Sequence, residues 1–190
     1  MADFAKAVET VLKHEGGFVN DAADPGGATN FGISLRSALQ MDLNADGKVD
    51  KLDWDILDLD QDGDLDAEDI KKLTADSAKA VYFSQFWERY HYDRFHSQEV
   101  ASKIFDLAVH CGPRQAHKLL QMALNSARGA DLCVDGLLGT LTLSVANGTA
   151  TDDLLAELRA AQVRFYRQVV TARPRMVKFL NGWIARAESC

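Results

Sequence analysis

One acidic side chain followed by a turn-rich segment is the part of this sequence best suited to catalysis. Glu15 stands where an amphipathic helix ends, and the residues that follow, GGFVNDAADPGGATNFGI at 16–33, carry Asp24 and Thr29 among several glycines and one proline. Glycine and proline favour tight turns, and polar groups on such segments often serve catalysis. Gly32 would let the backbone approach a neighbouring group closely.

The end of a helix carries a partial negative charge, which disfavours a carboxylate at Glu15. A general acid needs a carboxyl that keeps its proton, so Glu15 is a candidate general acid, and Asp24 and Thr29 are further candidate site residues on the same segment. The structural alternatives are a solvated Glu15 at a frayed helix end and an Asp-Pro-Gly-Gly turn in which Asp24 bonds nearby backbone. For Thr29 a purely structural role is likewise open.

Two acidic loops in tandem form a second pattern of chemical interest. Oxygen-bearing residues occupy alternate positions of a twelve-residue calcium-loop pattern, and Gly47 and Gly63 supply the glycine of its sharp turn. Val49 and Leu65 are the apolar residues expected to pair the loops. The candidate ligands are Asp42, Asn44, Asp46, Lys48, Asp50 and Asp53 in the first loop and Asp58, Asp60, Asp62, Asp64, Asp66 and Asp69 in the second.

We expect these EF-hand-like loops to bind one or two structural Ca²⁺ ions. Position twelve is Asp53 in one loop and Asp69 in the other, where Glu is usual, and this should loosen calcium binding or blur its preference over magnesium. Only Trp54–Leu57 separates the loops, so we predict a compact pair that shares one short helix. A solvated acidic loop is the alternative, and the duplicated register argues against it.

The net charge of −7 is unevenly distributed. Residues 42–69 hold 12 of the 28 acidic residues and only 2 of the 21 Lys and Arg residues, so the remainder of the chain is mildly basic. A basic body with one acidic insert is compatible with an anionic polymer as the target.

Helical periodicity supplies the elements that must position these residues. Gly16 and Gly17 end the first helix directly after Glu15. An apolar stripe from Met176 to Ile184 predicts the last helix. Strand signals are nearly absent, so the predicted class is all-α, with a single domain at 1–190 and the insert at 42–69. The other predicted helices cover residues 3–14, 34–40, 75–90, 98–111, 113–125, 141–146 and 151–171.

Cysteine usage and the first residues bear on the cellular compartment. Cys111, Cys133 and Cys190 are an odd number without metal-type spacing, which favours reduced thiols and no zinc site. No apolar run approaches the roughly 20 residues of a membrane span, and residues 1–15 lack the pattern of a signal peptide. We expect synthesis in the cytoplasm without a signal peptide, and no membrane insertion.

With these pieces placed, the sequence resembles the family 108 glycoside hydrolases, which are phage and bacterial N-acetylmuramidases. The segments that carry the resemblance are HEGGFVNDAADPGGATNFGIS at 14–34, IFDLAVHCGPRQAHKLLQMAL at 104–124, VDGLLGTLTL at 134–143 and KFLNGWIARA at 178–187. His110 stands where relatives usually carry Asn, and the acidic insert replaces a shorter connection. The resemblance implies a lysozyme-like helical domain with a small turn-rich active-site lobe. It also implies a peptidoglycan-binding helical region at 98–190.

The family places its catalytic acid in the EGG motif, which assigns that role to Glu15. Phage-type lysozymes, which this sequence resembles more loosely, carry Glu-x8-Asp-x5-Thr, and Asp24 and Thr29 approximate the last two positions with one residue fewer between them. Trp87, Tyr90 and Tyr92 are candidates to stack on sugar rings, although most aromatic residues of this region are expected in the core.

The resemblance implies an endolysin that cleaves the β-1,4 bond between N-acetylmuramic acid and N-acetylglucosamine. Glu15 would protonate the leaving oxygen, Asp24 would stabilise charge or act as a base, and Thr29 would hold the attacking water. Direct attack by water inverts the anomeric configuration and requires carboxyls about 6.5–9.5 Å apart. The alternatives are a lytic transglycosylase and a non-catalytic, calcium-dependent peptidoglycan-binding or interaction module.

The expected partner is bacterial peptidoglycan, with no nucleic acid, and the expected oligomeric state is a monomer. Action would take place in the periplasm, after export through a holin or a secretion apparatus.

Overall fold

Helices account for nearly all regular structure in the computed structural model, which describes residues 1–20 and 27–189. The α-helices are α1 Phe4–His14, α2 Leu35–Ala38, α3 Lys51–Leu57, α4 Ala67–Lys72, α5 Ala75–Tyr82, α6 Gln98–Cys111, α7 Pro113–Arg128, α8 Thr140–Asn147, α9 Thr151–Ala172 and α10 Leu180–Glu188. Two short strands, β1 Thr29–Asn30 and β2 Ile33–Ser34, form an antiparallel hairpin. The prediction of an all-α, lysozyme-like class is confirmed.

The predicted helix at 75–90 is divided in the structure. Its α-helical part ends at Tyr82, and Phe83–Glu88 continues as a π-helix. The short 3₁₀ segments Tyr92–Arg94 and Pro174–Phe179 complete the helical elements among the described residues.

The chain forms two compact units. One consists of Met1–Thr10 and Tyr90–Cys190, and the other of Val11–Arg89. The chain passes from the first unit to the second within α1 and returns after the π-helix.

Within the Val11–Arg89 unit, one core joins the hairpin to helices α1, α4 and α5. Its buried apolar side chains include Val11, Ile33, Ile70, Val81 and Tyr82. Burying apolar surface of this kind stabilises a fold by about 25 cal/mol per Å².

The acidic insert contains the one short helix that its sequence predicts, α3, and also a second, α4, that the sequence analysis does not predict. Helix α3 lies between the two loops, and α4 follows the second. The same capping box begins both, with Asp50 and Asp53 at α3 and Asp66 and Asp69 at α4. The expected pairing of Val49 with Leu65 differs in the structure. Val49 is 46% exposed and Leu65 7% exposed, and no bridge between them is recorded among the described residues.

In the other unit, α7 packs against α6 and α9, and α10 packs against α9. The buried Asp106 carboxylate accepts hydrogen bonds from Arg186 through Nε (3.2 Å) and Nη2 (2.8 Å). The buried Lys103 ammonium donates to the Ala187 carbonyl at 2.7 Å. His110 is half-buried, with its ring edge against Tyr166 at 5.7 Å. Two polar links thus join α6 to α10 across the core.

Among the described residues, no helix combines the length and the apolar character that crossing a membrane would require. Cys111 and Cys133 are free thiols, while Cys190 lies outside the described residues.

Candidate active site and metal-binding loops

The turn between β1 and β2 places two residues in the left-handed region of the backbone. Phe31 has φ 48° and Gly32 has φ 76°, and both lie between Asn30 and its partner Ile33. A two-residue turn with positive φ at both positions matches the twist of a hairpin, but a bulky residue such as Phe31 enters this region only at a cost in free energy. The surrounding contacts must therefore hold this turn.

The Glu15 carboxyl rests directly against this turn. A Cβ atom placed on Gly32 would lie 2.5 Å from Glu15 Oε2, 2.7 Å from Glu15 Cδ and 2.6 Å from Tyr82 Oη. No side chain fits at these distances, so the expected close approach at Gly32 is confirmed, and the group approached is the candidate acid. We call Phe31, Gly32 and Tyr82 the Glu15 seat.

Hydrogen bonds from Tyr82, Phe31 and Asn30 hold the seat in place. The Tyr82 hydroxyl donates to the Phe31 carbonyl at 2.6 Å, and the Phe31 amide donates to the Gly16 carbonyl at 3.2 Å. The Asn30 side chain, only 5% exposed, donates to carbonyls at the end of α4. Glu15 itself is half-buried. The arrangement gives a carboxyl that is anchored beside a constrained backbone and partly open to solvent.

Tyr82 and Asn30 were not among the residues predicted from the sequence. Tyr82 reads as one more apolar position of its helix, and Asn30 as one more turn residue. The sequence signal at this site was Gly32 alone, because Phe31–Gly32 is not one of the Asn-Gly or Asp-Gly pairs that mark a two-residue hairpin turn.

The structure places Thr29 in β1 beside the segment that follows Glu15. Its backbone pairs with Val19 through two hydrogen bonds of 2.8 Å, and its hydroxyl donates to the Gly27 carbonyl at 3.3 Å. Asp24 lies outside the described residues, so its distance to Glu15 stays a prediction.

Two of the three aromatic candidates lie in the core. Trp87 is 3% exposed and Tyr92 is 0% exposed, so neither ring offers a face to a sugar in this structure. The Tyr92 hydroxyl is instead 2.9 Å from His117 Nε2. Tyr90 is half-buried and stacks on Tyr92 with ring centroids 6.0 Å apart. Packing explains the difference, because helical spacing does not reveal which aromatic positions face a neighbouring helix.

The second acidic loop brings several carboxylates close together. Oxygen atoms of Asp58, Asp60 and Asp69 lie within 4.8 Å of one another, and so do those of Asp64, Asp66 and Asp69. Repulsion from the Asp62 charge and burial raise the pKa of Asp64, with smaller contributions from other acids of this loop. Asp60 Oδ1 is buried and accepts no hydrogen bond from the described part of the chain.

The first loop repeats the backbone of the second. The fourth and sixth positions have positive φ in both, at Ala45 and Gly47 and at Gln61 and Gly63. In the first loop, hydrogen bonds from the Asn44, Asp50 and Leu43 amides lower the pKa of Asp53. Asp69 accepts corresponding bonds from Leu59 at 2.7 Å and Asp66 at 2.8 Å. The twelfth-position carboxylates therefore close each loop on itself as well as offering oxygens to a cation.

The fold and site together describe a helical protein with one carboxyl anchored at a turn, and comparison with known proteins identifies its class. Residues 8–112 match the family described as glycosyl hydrolase 108, which is more than half of the chain. Residues 115–188 match the family described as "Predicted Peptidoglycan domain". The chain belongs to the glycosyl hydrolase 108 family and is a glycoside hydrolase that acts on peptidoglycan.

One solved structure, titled "Structure of Brucella abortus SagA", is 28% identical with a TM-score of 0.68, over 97% of this chain and 88% of that one. No curated protein matches the chain. The resemblance seen in the sequence is thus confirmed at the level of the family and of its polymeric substrate.

Proposed function

We propose that this protein is an N-acetylmuramidase that cleaves the β-1,4 bond between N-acetylmuramic acid and N-acetylglucosamine, with Glu15 as the general acid. The observation that carries the proposal is the position of the Glu15 carboxyl against Gly32, inside the segment matched to a glycoside hydrolase family. A half-buried carboxyl that lies against a constrained turn is a suitable proton donor, because its position is set before substrate binds.

The chemistry asks for a proton on the leaving oxygen and for stabilisation of an oxocarbenium-like transition state. Glu15 would deliver the proton as the glycosidic bond breaks. Thr29, which lies in the strand that leads into the turn, would help to hold the attacking water. Asp24 would act as the base for this water or stabilise positive charge.

Glu15→Gln tests the proposal, because the amide keeps the size of the side chain and cannot donate this proton. Since general acids contribute about 10²–10⁴-fold to rate, we expect turbidity loss of a Gram-negative cell-wall suspension to slow by at least about 100-fold. Glu9→Gln is the matched control, because it makes the same change at an exposed position of α1, the helix that Glu15 follows, and should leave the rate unaltered. Full lysis by Glu15→Gln would remove Glu15 from the mechanism.

Mass spectrometry of the wild-type digest distinguishes the two possible reactions. Hydrolysis yields fragments with a reducing N-acetylmuramic acid end. A lytic transglycosylase would yield anhydro ends. Such ends would show that a hydroxyl group of the substrate, and not water, is the attacking group.

We also propose that the two acidic loops bind Ca²⁺ and that the ion stabilises the fold without joining the chemistry. All candidate donors are oxygens, that of Lys48 being its backbone carbonyl, which suits a hard cation, and both loops have positive φ at their fourth and sixth positions. The buried Asp60 Oδ1 lacks a hydrogen-bond partner among the described residues, and a cation would satisfy it. The carboxylates of the second loop lie closest together, so the second loop would bind more tightly.

Thermal unfolding and calorimetry test the metal proposal. Calcium at 100 times its dissociation constant stabilises a protein by about 2.7 kcal/mol per site, so Tm should rise with calcium and fall when a chelator is added. Asp60→Asn should weaken the tighter site at least tenfold. Asp76→Asn, at a carboxylate 93% exposed on α5, is the control and should leave binding unchanged. An unchanged Tm in calcium and chelator would contradict the proposal.

A further inference from the structure

Asn30 joins the hairpin of β1 and β2 to the end of α4. Its side-chain amide donates to the carbonyl oxygens of Ile70 at 3.1 Å, Lys71 at 3.3 Å and Leu73 at 3.3 Å. The residue is 5% exposed, so water cannot readily replace these bonds. One side chain therefore bonds three carbonyls at the last turn and C-cap of α4, where a helix leaves carbonyls short of intrahelical partners.

The hairpin leads from this cap directly to the candidate acid. Asn30 precedes Phe31 and Gly32, and the Glu15 carboxyl rests against Gly32. The Phe31 amide also donates to the carbonyl of Gly16, the residue next to Glu15. A shift of the hairpin relative to α4 would therefore move the surface on which the carboxyl rests.

The backbone of the turn makes this anchoring necessary. Phe31 sits in the left-handed region at φ 48°, which a non-glycine residue leaves unless its surroundings hold it. The Tyr82 hydroxyl donates a hydrogen bond to the carbonyl of Phe31. Asn30, the strand residue before Phe31, is held by the bonds of its side chain to the end of α4.

We propose that Asn30 is a positioning residue for the reaction: its cap on α4 fixes the hairpin and thereby the place of the Glu15 carboxyl. This proposal rests on the proposed role of Glu15 as the general acid. Asn30 does not need to touch the substrate, so its removal should affect the transition state more than binding.

Two variants test the proposal. Asn30→Ala removes the donor, and Asn30→Asp keeps the size while turning a carboxylate towards three carbonyl oxygens. We expect kcat on soluble peptidoglycan fragments to fall at least tenfold for both, and further for Asn30→Asp, while KM changes by less than twofold. Such a split indicates loss of an interaction made in the transition state.

Ser97→Ala is the control for lost stability. Ser97 caps α6 by accepting a hydrogen bond from the Val100 amide at 3.2 Å, so its removal costs one cap in the other unit. Rates are compared at temperatures where all variants are folded by circular dichroism. Ser97→Ala should keep kcat unchanged although its Tm falls.

The proposal is overturned if kcat of the Asn30 variants changes no more than that of Ser97→Ala. It is also overturned if KM rises while kcat stays constant, because Asn30 would then be a substrate contact. Glu15→Gln, assayed in parallel, separates the two levels of inference. An active Glu15→Gln refutes the proposed function itself, whereas an inactive Glu15→Gln beside fully active Asn30 variants refutes only the positioning role.

Discussion

Gly32 is the residue whose replacement should most directly disturb Glu15. Every other side chain would collide with the carboxyl of Glu15 and the hydroxyl of Tyr82, both less than 3 Å from the Cβ position. The residue also has φ 76°, where an L-residue costs roughly 1–2 kcal/mol. A glycine at position 32 is therefore required both by the backbone conformation of the turn and by the close approach of the Glu15 carboxyl.

We predict that Gly32→Ala lowers kcat at least tenfold, because either the carboxyl or the turn must move. Gly129→Ala separates this effect from the backbone penalty. Gly129 has φ 61° in the left-handed region, and its Cβ would meet nothing within 4 Å among the described residues. The measurement is kcat beside Tm for both variants. Equal kcat values in the two would show that Glu15 tolerates the added methyl group.

At the residue scale, the sequence predicted the chemical groups of the candidate site better than it predicted where each side chain lies. Glu15 and the close approach at Gly32 could be predicted from residue types and from the turn motif. The burial of Trp87 and Tyr92 could not, because a helical pattern with aromatic residues on several faces does not say which face meets the core.

Among the elements, α4 has two roles. Two candidate ligands of the second loop belong to its start, with Asp66 as the N-cap and Asp69 in the first turn, and Asn30 caps its end. The six-residue helix thus joins the candidate metal loop to the hairpin that carries the Glu15 seat.

We predict that calcium raises both the Tm and the kcat of the wild-type protein, and that Asn30→Ala keeps the Tm response but loses the kcat response. The physical reason is that the ion would order α4, and the hydrogen bonds from Asn30 would pass that order to the hairpin. Tm and kcat are measured in calcium and in chelator for both proteins. If the variant keeps the calcium response of kcat, the link runs through other contacts.

The side chain of His117 links α7 to Tyr92 and to Gly136, and its burial should make the free energy of unfolding depend on pH. Burial lowers the pKa of His117, whose ring nitrogens lie 2.9 Å from the Tyr92 hydroxyl and 3.2 Å from the Gly136 carbonyl. An unfolded chain has a His pKa of about 6.5, so below that pH the unfolded state binds more protons than the folded state. The protein should therefore lose stability as pH falls from about 7 towards the lowered pKa, and no further below it.

His117→Gln checks this prediction, since the variant cannot be protonated at this position. We expect its free energy of unfolding to be lower at neutral pH and to vary less between pH 7.5 and 5.5 than that of the wild-type protein. Urea unfolding at several pH values gives both curves, and parallel curves would assign the pH dependence to other groups.

At the scale of the whole molecule, the family boundaries and the compact units do not coincide. The peptidoglycan family match begins at residue 115, but the unit that contains it also includes α6. Helix α6 packs on α7 and α9, and its Asp106 pairs with Arg186 of α10. A segment beginning at 115 would expose the faces of α7 and α9 that α6 covers, and would leave Arg186 without this carboxylate.

We therefore predict that residues 113–189 do not fold alone, whereas residues 90–189 retain helical structure with a cooperative thermal transition. Circular dichroism and amide dispersion in nuclear magnetic resonance spectra measure both fragments. A cooperative transition in the shorter fragment would show that the matched segment is an independent domain.

The sequence by itself determined most of the helices, the family and the candidate acid, because periodicity, caps and turn residues act over a few positions of the chain. It also marked the duplicated acidic loops, whose shared α3 the structure contains. Tertiary structure decided what surrounds Glu15. Tyr82 bonds Phe31 across 51 positions and Asn30 bonds Leu73 across 43, and such contacts follow from how elements pack, which no local pattern encodes.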